Sequence, residues 1–123
     1  MATITNAGKL AVAKLLNGVD SVAAFTYMAT GSGSTAEAAT QTALVTENTA
    51  NGSGRAAATC SYVADYKARF VNTFNFTGAV TIREIGIFNA PSAGTMLLRH
   101  VLTADKVYSN GESVEITVDV TVS

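Results

Sequence analysis

The side chains able to do chemistry in this chain are few: one thiol, Cys60, one imidazole, His100, and scattered carboxylates, of which Glu84, Glu112, Glu115 and Asp119 are the candidates for a working pair. A nucleophilic thiol needs a base within hydrogen-bond reach and a third group to orient that base. Cys60 lies in the strand-like run Ala56-Ala57-Ala58-Thr59-Cys60-Ser61-Tyr62-Val63 and His100 belongs to another strand with no orienting partner in view. Cys60 is therefore expected to be a buried, inert thiol, and His100 a structural residue. A metal centre would need further His or Cys at ligand spacing, which the chain lacks. Glycoside hydrolysis would need two facing carboxylates beside stacking groups. Glu115 and Asp119 instead share the outward face of a regular strand, and the chain has no Trp. Gly31-Ser32-Gly33-Ser34-Thr35 lacks the Gly-Lys-Ser/Thr ending of a phosphate-cradling loop. No enzyme is expected, with no catalytic residue, no metal and no cofactor.

The elements that would position such groups have to fit in 123 residues, enough for one core and one domain spanning residues 1–123. Eight basic against nine acidic residues leave a net charge of -1, so there is no basic footprint for nucleic acid. The charged fraction of 14% is low against the roughly 25% usual for soluble domains, which suits a surface packed against copies or partners. The segment Ile4 to Leu16 is too short, and too interrupted by Lys9 and Lys14, for a signal sequence, and no run reaches the length of a membrane span. One cysteine excludes an internal disulfide and fits folding in a reducing cytoplasm. The sequons at Asn51 and Asn75 are then chance matches.

One helix is expected over about 5–17, capped by Thr5 or Asn6, stopped by Asn17-Gly18, and docked through Leu10, Ala13 and Leu16. A strand over Phe25–Thr30 precedes a Gly/Ser/Ala segment, about 31–41, with no large side chain, which reads as a flexible arm. Asn51-Gly52-Ser53-Gly54 marks a turn flanked by Glu47 and Arg55, either a cross-turn pair or two solvated charges. Strands follow over 55–65 and 67–77, the second with Ala68, Phe70, Asn72, Phe74 and Phe76 on its core face. In Val80–Phe88 the alternation changes parity between Ile82 and Ile85, so a β-bulge is expected near Glu84. Thr95–Leu102 is apolar on both faces at its start, and Val114, Ile116, Val118, Val120 and Val122 form the inward face of a last strand. The sum is a mainly β fold, an antiparallel β-sandwich of jelly-roll type with one N-terminal α-helix.

The order of Thr81-Ile82-Arg83-Glu84-Ile85-Gly86-Ile87-Phe88-Asn89-Ala90, then Gly94-Thr95, then a strand with Arg99 at its middle, resembles small β-domains of tailed-bacteriophage virions. Weaker support comes from Thr5-Asn6-Ala7-Gly8-Lys9, Tyr27 to Thr35 and Thr42 to Glu47. The nearest likeness is to tail-collar and tail-fibre-like proteins and to capsid decoration proteins. The resemblance implies a non-enzymatic virion protein acting as a homo-oligomer, often a homo-trimer, whose partners are the major capsid protein or tail proteins, not nucleic acid or membrane. A chain ending at Ser123, directly after its last core strand, is more like a capsid decoration (cement) protein than a tail fibre, collar or baseplate component. A carbohydrate-binding module is the rival from another class. Candidate interface residues are Leu10, Leu16, Arg83, Glu84 and Arg99, with Arg83-Glu84 either an inter-subunit contact or a surface pair beside the bulge.

Overall fold

The computed structural model describes residues 2–123 and contains two antiparallel sheets and one α-helix. In chain order the elements are β1 (Thr3–Ile4), α1 (Asn6–Asn17), a 3-10 turn (Val19–Ser21), β2 (Tyr27–Gly31), β3 (Ala56–Ala57), β4 (Thr59–Val63), β5 (Lys67–Asn75), β6 (Val80–Phe88), β7 (Met96–Tyr108) and β8 (Ser113–Thr121). One sheet has the order β1-β7-β6-β2-β3 and the other β4-β5-β8. A shared core lies between them: Phe70, Phe74 and the inward valines of β8 meet Met28, Ile82, Ile85, Ile87 and Leu98. The split into five and three strands, with chain crossings after β3, β5 and β7, gives a sandwich-like packing without the paired four-stranded sheets of a jelly roll.

The helix begins and ends as its sequence dictates. Thr5 Oγ1 accepts from the Gly8 N–H at 2.8 Å, and Gly18 closes the helix at φ 71 with its N–H on the Lys14 carbonyl. Its docking face differs from the expected one. Gly8 and Ala11 are buried and Leu15 packs on the core, while Leu10 and Leu16 face outward. The cause is Gly8: a Cβ there would lie 2.6 Å from the Leu97 carbonyl oxygen. The smallest residue lets the first turn of the helix sit directly on β7.

The parity change in β6 is reconciled by an irregularity at the expected place. Ile82 pairs with Lys106 but Glu84 pairs with Val101, so the extra residues belong to β7, opposite Arg83. Arg83 spans this bulge, donating to the Leu102 carbonyl at 2.8 Å and to Asp105 at 3.0 Å. The shift puts Val80, Ile82, Ile85 and Ile87 in the same core and lets β7 run to Tyr108, beyond the end expected at Leu102. Tyr108 stacks on Phe76, centroids 4.7 Å apart, where the chain passes to the second sheet.

The other face of β2, β6 and β7 is buried too, beneath the chain between Ser32 and Arg55. Leu44 drops onto it beside Ala29, Phe88 and Met96 in a second, smaller core. Gly86 makes the room, since a Cβ there would meet Leu44 at 3.0 Å. The segment expected as a flexible arm is thus held along the sheet, and the ties that hold it converge on one ion pair.

Candidate functional site

Glu84 on β6 and Arg99 on β7 point to the same face of the sheet and are both fully buried, with Arg99 Nε 2.7 Å from Glu84 Oε1. Every acceptor position of the carboxylate is used. Oε1 also takes the Val45 N–H at 2.9 Å, and Oε2 takes those of Gly33 at 2.9 Å and Thr46 at 2.8 Å. Arg99 in turn donates to the Thr35 carbonyl at 2.8 Å and to the Gln41 side-chain oxygen at 3.1 Å. Burial alone would push the Glu84 carboxyl up. The Thr46 N–H, the Arg99 guanidinium and the Val45 and Gly33 N–H groups outweigh it and hold the group below the usual carboxylate range. The pair is a clamp that fastens two separate stretches of loop to the sheet.

Two further ties complete the cover. Glu37 accepts from Thr3 Oγ1 at 2.6 Å and from the Val101 N–H at 2.8 Å, and lies 3.5 Å from His100 Nδ1. Burial raises its carboxyl, but the bonds from Thr3 and Val101 and the neighbouring His100 bring it below its ordinary value. Arg55 grips Glu47 through two bonds of 3.1 and 2.8 Å and donates to the carbonyls of Ala90 and Ala93. The turn signal at Asn51-Gly52 therefore does place Glu47 and Arg55 together as a pair.

The remaining sequence-named residues are dispersed. Glu84 and Arg99 are enclosed within one chain, so neither is a surface contact, and adjacent Arg83 and Glu84 find different partners: Arg83 bonds Leu102 and Asp105 across the bulge, while Glu84 bonds Arg99 and the loop cover. Arg69 and Asp119 form a bidentate surface pair of 2.8 and 2.9 Å, which holds the Asp119 carboxyl low. Glu112 accepts from Ser109 in the last turn. Cys60, expected to be buried, is exposed; what cover it has still pushes its thiol up from the ordinary value, away from the reactive thiolate. It lies on the inner side of its strand but past the rim of the opposite sheet, where β3 is only two residues long. Among the described residues no three His, Cys, Asp or Glu side chains come together as a metal site would require, and no helix is long and apolar enough to cross a membrane.

What sequence reasoning missed is the uncovered side of the small sheet. Tyr62 is 75% exposed, Tyr66 72% and Val122 72%, around a shallow hollow that also includes Cys60 and Ala68. Ala68 and Val122 continue into an apolar groove of about 630 Å³ between β5, β8 and α1, bordered by Val12 and Leu16, the latter 84% exposed. Asp65 and Tyr66 both have left-handed backbones, φ 67 and 66, a conformation a tyrosine rarely adopts. The one available signal was the pair of tyrosines around a turn in a chain with few aromatics. No protein-family model matches the chain, and no curated protein matches it.

Proposed function

We propose that the protein is a non-enzymatic structural protein of a tailed-bacteriophage virion, a decoration (cement) protein that binds the capsid exterior and stabilises the shell. The observation that carries this reading is the Glu84–Arg99 clamp. Both members belong to the stretch, Thr81 to Arg99, on which the resemblance to virion β-domains rests, and the clamp commits the best-placed buried charges to holding the fold. Of the candidate carboxylates, Glu84 is engaged in the loop tie, Asp119 in a surface pair and Glu112 in a turn. The broad uncovered apolar surface suits a protein whose working state is bound to neighbours.

Such a protein acts by mass action. Binding the assembled shell and not its separated subunits shifts the equilibrium toward the shell, and several copies engaging symmetry-related sites add avidity. The exposed Leu10 and Leu16 of α1 remain available for such a contact, whereas the 31–41 segment is tied down. The test is gold-labelled antibody against the protein on intact virions, viewed by electron microscopy. Label over heads is expected, followed by lower thermal stability of shells lacking the protein. Label at the tail would transfer the assignment to a fibre, collar or baseplate component, and unlabelled particles would overturn the virion reading.

A further inference from the structure

We infer that β4 is a self-association edge through which two copies of the chain pair antiparallel about a two-fold axis. The small sheet ends in β4 on one side and β8 on the other, and among the described residues neither outer edge has a partner strand. In the five-stranded sheet the edge strands β1 and β3 are two residues each, too short to template pairing, and the overhanging end of β7 carries Asp105 and Lys106. β4 has none of these protections. Thr59-Cys60-Ser61-Tyr62-Val63 contains no charge, no proline and no bulge, and its first four residues are exposed. An uncharged open edge beside exposed tyrosines is the arrangement that soluble proteins ordinarily block.

Charge and symmetry select the occupant. Pairing β8 with β8 of a second copy about Thr117 would set Glu115 opposite Asp119 twice, a repulsive register. Pairing β4 with itself about Ser61 sets Thr59 opposite Val63 and Cys60 opposite Tyr62, with no charge in the strand pair. The contact is isologous and therefore closes at two copies. It joins the two hollows around Cys60, Tyr62 and Tyr66 into one apolar strip on a six-stranded sheet. Tyr62 on the strand and Tyr66 at its end, 75% and 72% exposed in one copy, flank the paired edge, while Val122, beyond the far strand β8, stays on the open face of the joined sheet. This two-fold contact does not rest on the virion reading, and it differs from the three-fold assembly that the resemblance implies.

The test is the mass of the purified full chain in solution by light scattering across a concentration series, with two variants. The wild type is expected to reach twice the chain mass. S61E keeps the chain folded, because the new carboxylate lies beside Arg69 across the β4–β5 pair, but sets two carboxylates opposite each other at the axis; it should weaken the dimer at least tenfold. On a Cys60→Ser background, Ser61→Cys should give a covalent dimer on mild oxidation, since directly opposed strand residues stand about 4.5–5.5 Å apart. A monomer at all concentrations, a trimer indifferent to S61E, or no cross-link through position 61 would each overturn the inference.

Discussion

The Arg55 guanidinium lies over the Phe88 ring, 3.6 Å from its centroid, while its edge grips Glu47 and the carbonyls of Ala90 and Ala93. One side chain thus joins the turn after the loop cover, the end of β6 and the loop that leads to β7. Arg55→Lys keeps the charge but loses the planar fork and the stacking. A loss of about 1–2 kcal/mol is expected from urea denaturation, from the cation–π contact and the bidentate pair together, and Arg55→Ala should cost more.

Glu84→Ala leaves the Arg99 guanidinium buried without its counter-charge and orphans the N–H groups of Gly33, Val45 and Thr46. The expected loss is about 3–5 kcal/mol. The double variant Glu84→Leu with Arg99→Met should be less damaging than Glu84→Ala alone. Hydrogen exchange should show Gly33, Val45 and Thr46 losing protection in Glu84→Ala while the β5–β8 amides keep theirs.

Glu84 and Glu37 both titrate lower in the folded chain than in the unfolded one. Their stabilisation is therefore complete above the unfolded-state value, about 4.3 for Glu, and drains away as the pH falls through the lower folded values. Urea midpoints should be nearly flat from about pH 8 to 5 and fall steeply below about pH 4.5. Glu37→Gln should flatten the acid limb, and a variant with the full wild-type slope would show that Glu37 contributes nothing to it.

Gly8→Ala raises helix propensity by about 1 kcal/mol, yet its methyl would meet the Leu97 backbone at 2.6 Å. The clash should win, with a net loss of about 1–3 kcal/mol and a lower melting temperature. Leu16→Ala, on the exposed side of the same helix, should change stability by less than about 0.5 kcal/mol. The opposite ranking would restore the docking face that apolar spacing suggested.

Local chemistry made much of this fold legible. Thr5 and Gly18 mark the helix ends, the valines of β8 alternate without fault, and the parity change around Glu84 exposes the irregularity against β7. Alternation tells which side chains share a face, but not how far the opposing sheet extends. Cys60 and Tyr62 lie on the inner side of β4 and still meet solvent, because the other sheet stops short of them. The cover over β6 was hidden for a related reason. Its grip on the sheet comes from backbone N–H groups and carbonyls meeting Glu84 and Arg99, and main-chain donors leave no trace in residue type. Glu84 and Arg99 lie 15 residues apart, and only the hairpin register brings them together.

That register has a counterpart in the errors it forbids. A one-residue slip of β7 along β6 would turn every β7 side chain to the opposite face. Arg99 would then enter the apolar core between the sheets, among Ile85, Ile87 and Phe70, while Glu84 would be left without its cation. Hydrophobic residues alone discriminate poorly here, because Met96, Leu97 and Leu98 are buried whichever way they point. A slipped hairpin would carry a penalty of several kcal/mol for unpaired buried charge, so the ion pair acts as a proofreading device for strand alignment, rejecting the shifted pairing that the surrounding apolar residues would tolerate.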